Sequence, residues 1–168
     1  MGKITVTGST IGLYNDFKAK TRDQNKVILR QWRRKAVPLI KSAIVKTIQI
    51  GNSPVQGFGR FQDYSKMYKS AILGGEYTEY NKKLRPINMT LTGQMLKSLT
   101  SRATVNGFLL QFTSRLAEKH NELGVGKYKV IRRILPVHKG ERLKDVIFFE
   151  AGQELVKLTK FYYSKLLK

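Results

Sequence analysis

The sequence predicts an α+β fold: a small antiparallel β-sheet packed by a long N-terminal and a long C-terminal helix. Three observations carry this. Residues 21–49 place apolar side chains at helical spacing. Asn106-Gly107 separates two stretches of strand-forming residues, TSRATV and FLLQFT. Residues 141–167 carry a second apolar stripe.

Along the chain, residues 1–20 read as an arm. Gly2, Gly8 and Gly12 alternate with Ile4, Val6 and Ile11, which suits at most one short strand, ordered by contact with something else. Residues 21–168 read as a single domain. Thr21 or Asp23 is placed to cap the first helix, Ile28, Trp32, Ala36, Leu39, Ala43 and Ile48 form its apolar face, and Gly51 ends it. Pro38 removes one backbone donor, which predicts a kink near Arg34. GNSPVQGFGRFQDYS, residues 51–65, is too rich in glycine for a regular element and too aromatic for a plain linker. Residues 64–73 suit a short helix with Tyr64, Met67, Tyr68 and Ala71 on one side, stopped by Gly74 and Gly75. Residues 76–89 are a polar, basic connector containing Pro86. Thr92 can cap a short helix carrying Met95, Leu96 and Leu99.

Next comes the hairpin. Asn-Gly supplies the positive φ values of a type I′ turn, and Phe108, Leu110 and Phe112 alternate onto one face. RLAEKHNELG suits a helix of one to three turns ended by Gly124, and VIRRILP a strand stopped by Pro136. The last helix carries Leu143, Val146, Ile147, Leu155, Leu158, Tyr162 and Leu166 in its stripe, interrupted by Glu150.

Composition bounds the function. There are 32 Lys and Arg against 11 Asp and Glu, a net charge of +21. Such a chain repels itself and points to a polyanionic or acidic partner. The basic residues cluster. Lys26, Arg30, Arg33, Arg34, Lys35, Lys41 and Lys46 occur with no acid between residues 26 and 50. Residues 80–115 are likewise without acid. Cysteine is absent, which excludes disulfides, thiolate metal sites and a Cys nucleophile, and fits an intracellular place of synthesis. The N-terminus has no signal-peptide pattern, and no apolar run approaches the roughly 20 residues of a membrane span.

Chemistry has little to stand on. GVGK, residues 124–127, lacks the earlier glycine and the Ser or Thr of a phosphate loop, so it reads as a turn. His120 and His138 show no metal-ligand spacing. Glu118 and Glu122 lie i, i+4 on a solvated face beside Arg115 and Lys119. No nucleophile elbow, dinucleotide fingerprint, zinc finger or helix-turn-helix is present, and neither a cofactor nor a metal is expected.

The order of the pieces carries a resemblance. SPVQGFGRFQDYSKMYKSAI, NMTLTGQMLKSL, a hairpin, RLAEKHNELG, IRRILP and a C-terminal helix resemble the tail-completion, or neck, proteins of tailed bacteriophages, over about residues 25–165. The motif positions are Pro54, Gly57, Arg60, Phe61 and Tyr64; Leu91, Thr92, Gly93, Met95 and Leu99; Ala117, His120 and Gly124; and Arg133, Leu135 and Pro136. The N-terminal arm and the high charge depart from the family pattern.

The resemblance implies a non-enzymatic virion protein. It implies a homo-oligomeric ring, taken as a hexamer, that joins the head connector to the tail around the DNA channel. Its partners are then a connector or portal-adaptor protein, a tail-tube or tail-terminator protein, and DNA non-specifically, with no membrane. Its place is the neck of the virion, after assembly in the host cytoplasm. A subunit interface is expected at Pro54, Phe58, Arg60, Phe61, Tyr64 and Arg133, although the loop's aromatics also suit a cover over the core. A surface facing DNA or an acidic partner is expected at Arg30, Arg33, Arg34, Lys41, Lys82, Lys83 and Arg85. The alternative from another class is a basic nucleic-acid-binding protein associated with ribosome or nucleoid.

Overall fold

The first element, α1 (Thr10–Gln49), is a helix of 40 residues. The structure is a computed structural model and describes residues 10–78, 82, 84–85, 87, 94–104 and 107–166. Residues 10–20 are therefore helix, where the sequence suggested at most a short strand, and residues 1–9 lie outside the described residues. Glycine density argued for an irregular arm. From Leu13 onward, however, no glycine or proline interrupts the chain until Pro38, and extending a nucleated helix costs little per residue. Asp23 sits inside the helix and holds Lys26 at 3.0 Å instead of capping. α1 runs through Pro38, which faces solvent.

Gly51 ends α1 as expected, with φ of 83°. Its N–H donates to the Ile48 carbonyl at 3.0 Å, and the Asn52 N–H donates to Thr47 at 3.0 Å. These are the paired bonds of a Schellman motif.

The buried face of α1 winds around the helix. Ala36, Ile40, Ile44 and Ile48 are fully buried, whereas Leu39 and Ala43 are half-buried. Steps of four residues advance about 40° around the axis, so a ridge of this kind turns from one neighbour to the next. The fixed face expected from the sequence missed that drift.

The first neighbour is α5 (Phe149–Leu166), antiparallel to α1. Trp32 Nε1 donates to the Ala151 carbonyl at 2.6 Å, Lys35 pairs with Glu154 at 2.7 Å, and Tyr163 donates to Asn25 at 2.9 Å. The second neighbour is a two-stranded antiparallel sheet, β1 (Leu99–Ala103) and β2 (Phe108–Phe112). Leu99 pairs with Phe112 and Ala103 with Phe108. Gly107 accepts from Thr104 N–H at 2.9 Å and lacks a positive φ. The register is thus two residues from the one an Asn106-Gly107 I′ turn requires; Asn106 itself lies outside the described residues. A shift of two preserves the faces, so Phe108, Leu110 and Phe112 still pack inward.

Three short helices complete the shell: α2 (Lys66–Leu73), α3 (Gln94–Lys97) and α4 (Arg115–Glu118). Ser65 caps α2 by accepting from Tyr68 N–H at 3.3 Å. α2 buries no residue, and Met67, expected on its inner side, is 87% exposed. Met95 and Leu96 anchor α3, while Thr92 lies outside the described residues. α4 continues as a π-helical turn, Lys119–Leu123, and Gly124 stops it.

A glycine is required at that stop. Gly124 has φ of 75°, and a Cβ there falls 2.3 Å from the Lys129 carbonyl oxygen. Val125 and Val130 then close a tight turn through reciprocal 3.0 Å bonds, the structural turn expected of GVGK.

VIRRILP is not a ladder strand. After Val130 it is a strap, residues 131–136, whose backbone bonds to two side chains and to the His120 carbonyl. Asn121 Oδ1 accepts from Ile134 N–H at 2.7 Å and from Leu135 N–H at 3.0 Å. Ser53 Oγ donates to the Arg133 carbonyl at 2.6 Å. Beyond the strap, residues 141–144 do not start the last helix as expected. They pair with the glycine-rich loop: Gln56 N–H donates to Arg142 and Lys144 N–H to Pro54, both at 2.8 Å. A 3₁₀ turn, Asp145–Phe148, then leads into α5.

The core lies where α1, the sheet, the strap and the start of α5 meet, around Ile40, Ile44, Ile48, Leu99, Ile134 and Ile147. Among the described residues no helix is long and apolar enough to cross a membrane.

Asn121→Ala orphans two backbone donors of the strap. Unfolding in urea, followed by the fluorescence of Trp32, is expected to show a loss of at least about 2 kcal/mol. A loss below about 0.5 kcal/mol would show that the carboxamide is dispensable.

Candidate functional site

Two surfaces are built from residues singled out by the sequence. The first is the glycine-rich loop. Ser53, Pro54 and Val55 are fully buried, and Phe61 is nearly so. Ser53 N–H donates to Gly59 at 2.9 Å and Phe61 N–H to Gly51 at 2.8 Å, which folds the loop back on itself. Its tip stays outside. Gly57 has φ of 84° with open space around it, Phe58 is 39% exposed, and Arg60 is exposed.

The expected interface set therefore divides. Pro54 and Phe61 are core, because backbone bonds pull their ends of the loop under the strap. Arg133 is also interior, at 7% exposure. Its Nη1 donates to the Asn121 carbonyl at 2.6 Å, its Nε lies 3.3 Å from Glu141, and its guanidinium stands 5.4 Å from the Phe58 ring centre. Tyr64 is half-buried against the core. Only Phe58 and Arg60 remain for another subunit to touch.

Glu141, not singled out from the sequence, fixes this corner. It accepts from Val137 N–H at 2.7 Å and from His138 N–H at 3.3 Å. Those bonds, first Val137, and the Arg133 charge hold its carboxyl below the usual range. His138 is exposed beside it.

The second surface gathers cations and tyrosines. Arg132, missed from the sequence, is 5% exposed, and its Nη2 donates to the Gln62 carbonyl at 3.0 Å. Its guanidinium stands 5.6 Å from the Tyr64 ring centre, and Lys82 Nζ stands 4.8 Å from the same centre. Tyr68 packs edge-on to Tyr64 at 5.0 Å, and Tyr77 lies 5.3 Å from Tyr68. Burial, then the Arg132 charge, lowers the Lys82 ammonium to about 8. An open groove borders the cluster, lined by Lys69, Ile72, Lys82, Leu84 and Arg85. Lys69 and Arg85 share Asp63 at 2.8 and 3.3 Å, and this holds the Asp63 carboxyl below its ordinary value, chiefly through Lys69.

Elsewhere the expected basic surface is a strip on α1. Arg30 and Arg34 are exposed, and Arg33 and Lys41 are half-buried. Arg30, Arg34 and Lys41 fall within about 40° of one another around the helix. The structure thus splits the expected set: these residues lie on α1, Lys82 and Arg85 border the tyrosine groove, and Lys83 lies outside the described residues.

Comparison with protein-family models, curated proteins and solved structures finds no match for this chain. The phage resemblance therefore rests on the order and spacing of its motifs.

Most motif positions serve the fold. Pro54, Phe61, Met95, Leu99 and Ala117 are core, Gly124 is sterically required, and Arg133 braces the strap. Leu91, Thr92 and Gly93 lie outside the described residues. His120 is half-buried, and its carbonyl accepts from Arg132 N–H at 2.7 Å. Burial, then the Arg132 and Lys82 charges, lowers the imidazole from 6.5 to about 4. It is neutral at pH 7. Glu118, Glu122 and Glu150 are exposed, and among the described residues no group of three or more His, Asp or Glu is placed to hold a metal. The arrangement supports binding through charge, aromatic faces and surface shape.

The histidine sets a pH dependence. Unfolded His120 takes up a proton near 6.5, and the folded one resists until about 4. Its contribution to stability is full above that window and is lost as pH falls through it. Thermal midpoints measured across the window should fall for the native chain and fall less steeply for His120→Gln. Equal slopes would remove His120 as the cause.

Proposed function

We propose that this chain is a structural subunit of a tailed-bacteriophage neck, a tail-completion protein that works as a closed ring around the DNA channel between head connector and tail. The motif order supports the family. The observation that carries the assembly is apolar surface left uncovered: Phe58 at the loop tip, and Phe149, Val156 and Phe161 along α5, are each between 39% and 64% exposed. Large apolar side chains exposed in this way suit burial against a neighbouring subunit. The net charge of +21 fits the same role, since cations facing a channel of packed DNA lower the cost of the phosphate field. On this reading the protein acts by shape and charge, without chemistry or cofactor.

Native mass spectrometry of the purified chain is expected to show a ring, six-fold on the family pattern, and electron microscopy of particles to place it at the head–tail junction. A chain that stays monomeric alone and with connector protein, or virions that lack it, would end the reading. Phe58→Asp changes a side chain at the loop tip, so the variant should keep its thermal midpoint within a few degrees and lose the ring. An intact ring in that variant would move the interface away from the loop.

A further inference from the structure

Arg132 and Arg133 are neighbours in the strap, both are buried, and only one is neutralised. Arg133 has Glu141 within 3.3 Å. Among the described residues Arg132 has no carboxylate, and its Nε, like that of Arg133, is buried without a hydrogen-bond partner. A buried arginine charge left in this state is costly. Lys82 shares the Tyr64 ring with it at 4.8 Å, although like charges repel. An anion seated between the groove and this pair would relieve both costs.

We propose that Arg132, Lys82 and the tyrosine series Tyr64, Tyr68 and Tyr77 form a nucleic-acid site opening onto the groove of Lys69, Ile72, Leu84 and Arg85, with a backbone phosphate as the anion. Among the described residues the groove and its cluster hold four cationic side chains, Lys69, Lys82, Arg85 and Arg132, against one carboxylate, Asp63. An acidic protein tail would satisfy that charge but has no use for the aromatic series. Three tyrosines in contact, at 5.0 and 5.3 Å between successive ring centres, beside a positive groove are what a strand with unstacked bases requires. Burial lowers the pKa of the Lys82 ammonium, and a bound phosphate would raise it again. The inference rests on the channel reading only for contact with DNA, adds that the strand met here has its bases unstacked, and places that contact at the groove in place of the strip on α1.

The test uses the full chain and a fluorescein-labelled oligothymidylate of about ten nucleotides, with anisotropy followed across a salt series. Lys82→Gln and Arg34→Gln remove the same charge from the two candidate surfaces. Lys82→Gln is expected to weaken binding at least about fivefold more than Arg34→Gln and to reduce the salt slope by about 0.7. Tyr68→Leu is expected to weaken binding about tenfold with the salt slope unchanged. Equal losses for the two charge variants, a larger loss for Arg34→Gln, or no binding by the native chain at low salt would overturn the site. So would displacement of the strand by a ten-residue polyglutamate peptide as effective as unlabelled oligothymidylate, which would assign the groove to an acidic protein. Native mass spectra of the same samples separate the two proposals. A monomer with Lys82-dependent binding removes the ring alone, and a ring with Lys82-independent binding removes this site alone.

Discussion

Everything around the core depends on how the strap at 131–136 satisfies its backbone. It crosses the interior extended and without a ladder partner. A buried N–H or C=O left unpaired costs about as much as a lost hydrogen bond, so the chain meets the demand with two side chains and one backbone carbonyl. Asn121 takes two donors with one oxygen, Ser53 gives a proton to the Arg133 carbonyl, and the His120 carbonyl accepts from Arg132. These anchors bring two segments to the strap. Asn121 brings the π-helical turn after α4, and Ser53 brings the glycine-rich loop. The loop in turn pairs with residues 142–144 and sets where the last helix can start.

The strap also explains the unequal treatment of its two arginines. In extended backbone, neighbouring side chains point to opposite faces. Arg133 turns toward Asn121, Glu141 and Phe58, where a carboxylate and a ring receive it. Arg132 turns toward Tyr64, Lys82 and Gln62, where a ring and one carbonyl receive it. The first side is closed and structural. The second is a concentration of positive charge beside aromatic faces. His120, at the same junction, is held neutral by burial and then by that field.

How much was legible follows the range of the physics. Gly51, Ser65 and Gly124 act on residues close in sequence, and the elements they bound were largely visible: the end of α1, α2 and the stop after α4. The alternation of Phe108, Leu110 and Phe112 also held, since a strand's two faces follow from a period of two. The hairpin register did not, because any shift by two residues leaves that pattern unchanged. The start of α1 was missed because local glycines outweighed the cooperativity of a helix that packing stabilises further along. In the candidate sites, Lys82 and Arg85 were visible as basic residues, whereas Arg132 looked the same as Arg133 on the page.

The sequence by itself determined the α+β class, the two long helices, the hairpin and the excess of positive charge. Each of these follows from composition or from spacing within a few residues. Only the tertiary structure decided that Pro54 and Phe61 lie inside while Phe58 lies outside, that VIRRILP is a strap, and that among the described residues Arg132 lacks the carboxylate Arg133 has. Burial and charge pairing are set by segments far apart in the chain, such as Ser53 with Arg133 and Lys82 with Tyr64. No local pattern records which distant partner arrives.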